Sequence, residues 1–148
     1  MPDELIRLSK SCIGESEKKA VMAVLDREYL GMGLEVQQFE NALSIFFNRP
    51  AICVANGTSA LQLSLQACGT STEDEVLVPS LTYVASFQAI SATGAKPVAC
   101  DINEETCLMD IDDAEKRITK NTKAIMPVYY TGGVGNLDTI YTFAKKYN

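Results

Sequence analysis

The sequence predicts an α/β domain built around a largely parallel sheet. Three observations carry that prediction. β-type apolar runs alternate with helical patterns, no tight hairpin signal joins successive runs, and the length suits one domain. The chain has 148 residues, 47% hydrophobic and 22% charged. That balance belongs to a folded core rather than to a disordered segment. It is read as a single domain over residues 1–148.

Ser16 to Leu30 reads as the first helix, with Ala20, Val21, Val24 and Leu25 on one face. "YLGMG" breaks it at Gly31 and Gly33. A second apolar stripe at helical spacing follows in Val36, Phe39, Leu43, Phe46 and Phe47. The run "AICVA" at 51–55 reads as a strand, and "ANGTSALQLSLQACG" turns directly into a helix. That helix is apolar nearly all round, which predicts packing on more than one side. "EVLVP" (75–79) reads as a buried strand and Val84 to Ala92 as a helix. "KPVACDI" (96–102) is a further strand, followed by a short polar helix in "DDAEKRI", where Asp112 and Glu115 stand at capping-box spacing. "KAIMPVYY" (123–130) is the last strand, and Leu137, Ile140, Tyr141 and Ala144 mark a final amphipathic helix. A wound sheet would return a strand after that helix, so the pattern predicts a sheet that continues past Asn148.

Bulk charge narrows the function classes. A formal net charge of −6 argues against nucleic acid and against an anionic membrane as partners. Lys18-Lys19 and Lys145-Lys146 read as solvated pairs. The amino-terminal "MPDELIRLSKSC" lacks the apolar segment of a secretory signal, and no uncharged run is long enough to cross a bilayer. Cys12, Cys53, Cys68, Cys100 and Cys107 are widely spaced and include no C-x-x-C pair. They read as buried free thiols of a cytoplasmic protein, and with no histidine in the chain no metal site is predicted.

In open parallel sheets ligands gather beyond the carboxyl ends of the strands. "ANGTS", "PSLTY", "DINEET" and "YYTGG" all fall there. The helix start at Asn56-Gly57-Thr58-Ser59 offers unpaired N–H groups and a positive dipole end suited to phosphate. Gly57 would let an anion approach the backbone, with Thr58 and Ser59 adding hydroxyl donors. Simple capping by Thr58 or Ser59 explains the same residues and is the commoner use of such a stretch. Tyr83 can stand over a ligand on that face or belong to the core. The segment "DINEETCLMDID" fails as a calcium loop because Thr106 occupies the position that needs glycine. A histidine-based triad is impossible here, and no carboxylate pair is singled out for glycoside chemistry.

Taken in order, "GLEVQQFE" (33–40), "ANGTSALQLSL" (55–65), "DEVLVPSLTYVASFQAI" (74–90), "GAKPVACDI" (94–102) and "ITKNTKAIMPVYYTGG" (118–133) resemble the DegT/DnrJ/EryC1/StrS aminotransferases. The resemblance implies part of the large domain of an aspartate-aminotransferase-like fold, with helices on both faces of the sheet. It implies pyridoxal 5′-phosphate (PLP) as cofactor, held at its phosphate by Gly57, Thr58 and Ser59, with Tyr83 against the pyridine ring. It further implies glutamate and a nucleotide-linked keto sugar as substrates, in cell-surface polysaccharide or secondary-metabolite sugar biosynthesis, and a homo-oligomeric assembly. "YLGMG" and "VQQFE" resemble the segment near the active-site mouth where a dimer partner contributes.

The family's pyridine-pairing aspartate and Schiff-base lysine have no matching positions here. No catalytic residue is therefore assigned, and the chain is expected not to transaminate alone. Tyr129 stands where the family commonly has histidine. Two other readings remain: a non-catalytic binding or assembly module of the same fold, and a fragment of a related sugar dehydratase.

Overall fold

The computed structural model describes residues 9–147. The first eight residues of the amino-terminal stretch read as no secretory signal, and the end at Asn148, lie outside the described residues. The chain divides into two compact units, Met1–Cys53 and Val54–Asn148.

The first unit holds two helices. α1 spans Glu15–Asp26, its start marked by the Gly14 N–H donating to the Glu17 carboxylate at 2.6 Å. It ends four residues short of the sequence prediction because Glu28 turns left-handed, at φ 55°. α2, Leu34–Phe47, closes on Asn48 in the same left-handed region. The Arg27 guanidinium pairs with the Glu35 carboxylate, tying the end of α1 to the start of α2. Neither helix has a buried residue. The predicted stripes are therefore exposed or half-buried, with Phe46 80% exposed.

"AICVA" is not a strand. A strand exists only through a ladder. Here the Ala51 N–H goes to Ser44 Oγ at 2.9 Å and the Cys53 N–H to Glu40 Oε1 at 2.8 Å.

The second unit carries the sheet. It contains α3 (Gly57–Ala67), β1 (Glu75–Pro79), α4 (Ala85–Ala92), β2 (Lys96–Cys100), α5 (Ile111–Lys116), β3 (Thr122–Ile125), a 3₁₀ turn at Tyr130–Gly132, and α6 (Leu137–Tyr147). The strands lie in the order β2-β1-β3 and are parallel, with Leu77 opposite Val98 and Ile125. β1 is buried throughout, as the unbroken apolar run "EVLVP" requires of a central parallel strand. Alternation along β1 divides the core. Val76 and Val78 pack with Leu65, Ile90, Ala95 and Met126 on one face. Leu77 packs with Cys100, Met109, Ala114 and Phe143 on the other. Helices thus cover both faces.

Local chemistry moves several predicted boundaries. β3 stops before Pro127, which has no N–H to offer a ladder. α5 is capped by Asp110, whose carboxylate accepts from the N–H groups of Asp112 and Asp113, so Asp112 and Glu115 form no capping box. Asp113 instead accepts from the Asp101 N–H at 2.7 Å and pairs with Arg117, which holds its carboxyl below the usual range. α6 turns Phe143 into the core and leaves Tyr141 71% exposed, because Phe143 fills the space beside Leu77. α3 buries only Leu65 and leaves Leu63 half exposed, so it packs on α4 with one face.

Gly94 follows α4 at φ 88°, where a Cβ would lie 2.6 Å from Thr72 Cγ2. Only glycine fits that turn. The five thiols are free, but only Cys100 is buried; Cys12 and Cys68 are exposed. Their positions in the chain's start and at the end of α3 lie outside both core clusters.

Candidate functional site

Where β1 and β3 end and α3 begins, the second unit has an open concavity of about 660 Å³. Gly57, Thr58, Ala60, Leu61 and Ser64 of α3 form one wall. Thr82, Tyr83, Ala85 and Ser86 form another, and Met126, Pro127 and Val128 follow β3. Three of the four candidate residues, Gly57, Thr58 and Tyr83, therefore meet at one place. Ser59 is half-buried in the first turn of α3 and is not among the lining residues. "DINEET" lies elsewhere, and Tyr129 borders a separate groove of about 170 Å³ beside Leu108 and Ile140.

The start of α3 explains the polar turn. Asn56, not Thr58 or Ser59, is the cap: its Oδ1 accepts the Ser59 N–H at 2.9 Å. The next bond, from the Ala60 N–H to the Asn56 carbonyl at 3.1 Å, begins the helix ladder. The N–H groups of Gly57 and Thr58 are left without a partner among the described residues, as are the Thr58 and Ser59 hydroxyls. A Cβ at Gly57 would meet nothing within 4 Å, so the approach to these donors is open. Two free N–H groups on the positive end of a helix are suited to an anion. The preference of Asn for the cap position was the available signal for this arrangement.

Tyr83 sits between β1 and α4 and is 78% exposed. Its neighbours Thr82 and Ser86, which sequence reasoning passed over, place their hydroxyl oxygens 2.8 Å apart. Four-residue spacing at the start of a helix was their signal. The lining residues include no lysine, aspartate or glutamate. Among the described residues no three metal-ligating side chains are gathered, and no helix is long and apolar enough to cross a membrane.

The sequence profile of the DegT/DnrJ/EryC1/StrS aminotransferase family matches residues 11–148. The chain belongs to that family. Among solved structures, the family member resembles a Streptococcus pneumoniae protein named as a sugar aminotransferase, Spr1654, in its PMP form. The two are 36% identical with a TM-score of 0.85, over 95% of this chain and 36% of the other. An aminotransferase from Psychrobacter cryohalolentis is 32% identical with a TM-score of 0.85, over 93% and 35%. NtdA from Bacillus subtilis, with the cofactor PMP bound, is 33% identical with a TM-score of 0.81, over 88% and 30%. The family member thus spans about a third of the length of these proteins, and its α/β fold is theirs.

Proposed function

We propose that residues 1–148 contribute the phosphate clamp and ring platform of the large domain of a PLP-dependent sugar aminotransferase. The observation that carries this reading is the meeting of the uncapped donors of α3 with Tyr83 at one concavity. Gly57 and Thr58 would hold the cofactor phosphate through their N–H groups. The Thr58 hydroxyl adds a further donor, and Ser59 one from the same turn. The free space at Gly57 accommodates a phosphate oxygen that a side chain there would exclude. The Tyr83 ring would lie against the pyridine and limit its rotation. When bound, the cofactor supplies the electron sink for moving an amino group.

The substrate reading is glutamate as donor and a nucleotide-linked keto sugar as acceptor, within cell-surface polysaccharide or secondary-metabolite sugar biosynthesis in the cytoplasm. Its support is family membership together with the sugar aminotransferase resemblance. No lining residue is an amine or carboxylate able to carry a proton. The chain alone is therefore expected not to turn substrate over. A homo-oligomer is supported by the apolar side chains that α2 exposes, Ile45 at 83% and Phe46 at 80%.

The test is equilibrium binding of pyridoxamine 5′-phosphate (PMP), which has no aldehyde to react with stray lysines. Thr58→Ala removes one hydrogen bond to a charged group, and so should weaken binding by about tenfold or more. Undiminished binding by Thr58→Ala would refute the clamp, and turnover by the isolated chain would refute the division of labour.

A further inference from the structure

We propose that Thr82 and Ser86 are positioning residues that set the direction of the Tyr83 ring, an inference that rests on the reading of Tyr83 as ring platform. Tyr83 is 78% exposed and has little packing to hold it, so what the fold fixes is the Cα–Cβ direction from which the ring projects. The Tyr83 carbonyl accepts the Ser86 N–H at 3.0 Å. It also lies 3.4 Å from Thr82 Oγ1, a longer contact than the 2.8 Å between Thr82 Oγ1 and Ser86 Oγ.

Counting hydrogens gives the pair a polarity. Ser86 is 5% exposed, and its hydroxyl has no acceptor among the described residues other than Thr82. If Thr82 donated to Ser86, the Ser86 hydrogen would be buried without a partner, which is costly. With Ser86 donating to Thr82, the Thr82 hydrogen is directed to the Tyr83 carbonyl and every hydrogen is placed. The result is a short relay, Ser86 to Thr82 to Tyr83, lying on the wall of the concavity. It stiffens the turn from which the ring projects. Ordering the ring in advance lowers the entropy lost when a planar ligand settles against it.

The experiment is a PMP titration of the 148-residue chain, read by dissociation constant and by the circular dichroism induced in the bound PMP chromophore. Thr82→Val and Ser86→Ala should each weaken binding by about three- to tenfold and reduce the induced signal. Thr82→Ser, which keeps the hydroxyl, should restore both. In a Tyr83→Ala background neither substitution should have further effect, because the relay acts through that residue. Should Ser86→Ala fail to fold, the half-buried Thr82→Val carries the test alone.

If Thr58→Ala weakens binding while Thr82→Val equals wild type, this inference falls and the clamp stands. An equal loss from Thr82→Val with and without Tyr83 also overturns it, since the hydroxyls would then act independently of the ring. If wild type binds no PMP, the clamp reading fails and the inference falls with it.

Discussion

Replacing Asn56 tests whether the polar turn before α3 is a cap, a ligand site, or both. Its Oδ1 accepts the Ser59 N–H at 2.9 Å and is the single side-chain cap of that helix. Loss of such a cap costs about 1 kcal/mol, within a range of about 0.5–2. Ser59 is only half-buried, so water can partly replace the lost partner, and Asn56→Ala should fall near the middle of that range. About 1 kcal/mol lowers the folded-to-unfolded ratio roughly fivefold. Urea unfolding followed by circular dichroism would read this as a lower midpoint at constant slope. Thr58→Ala and Ser59→Ala should stay within about 0.5 kcal/mol of wild type, since neither hydroxyl caps the helix.

Asn56→Asp separates the two roles. The carboxylate still accepts the Ser59 N–H and adds about 0.3–1 kcal/mol by facing the positive end of α3. It also sets a negative charge beside the donors of Gly57 and Thr58, so PMP affinity should fall at least fivefold while stability holds. A loss of stability from Thr58→Ala or Ser59→Ala equal to that from Asn56→Ala would refute the capping assignment. Unchanged PMP affinity in Asn56→Asp would refute an anion at this helix end.

Three further outcomes are expected. Leu77 is fully buried on the α5 and α6 side of the sheet, so Leu77→Ala should cost about 2–5 kcal/mol in urea unfolding. The Glu75 carboxyl is held below the usual glutamate value of 4.5 by the Thr119 hydroxyl and then by Lys96. A lowered folded-state value means that its contribution is fully present above pH 4.5 and is lost as pH falls through the folded-state value. Glu75→Gln should therefore flatten the acid limb of a stability-pH profile and leave a lower plateau at neutral pH. Phe46→Asp, at a position 80% exposed, should reduce self-association in sedimentation equilibrium while leaving the melting temperature nearly unchanged.

Much of the second unit was legible because its signals are local. "EVLVP" announces a strand buried on both faces, and the structure places β1 at those residues. The polar turn at 56–59 marks the start of α3, although Asn56 rather than Thr58 or Ser59 is its cap, and the strand read over 123–130 stops short of Pro127. Where prediction and structure part, the missing information is a partner distant in sequence. "AICVA" has strand composition, yet its N–H groups found Ser44 and Glu40 rather than a neighbouring strand. The apolar spacing of α6 favoured Leu137 and Tyr141, but the face that turns inward was chosen by the space beside Leu77, where Phe143 fits. Asp112 and Glu115 had capping-box spacing, and Asp110 took the cap because the chain entered the helix two residues earlier.

The candidate site divides the same way. Sequence by itself determined the family and the parallel α/β class and singled out Gly57, Thr58 and Ser59 as the residues proposed to receive a phosphate, because residue order and contacts within four positions carry that information. Only the tertiary structure decided that Gly57, Thr58 and Tyr83 share one concavity, that Ser59 does not line it, and that Asn56 leaves two donors free. The pairing of β1 with β3 and the packing of α3 on α4 bring those segments together. Such contacts join residues tens of positions apart. Their free energy comes from burying shared apolar surface, and it is settled only when the whole core closes.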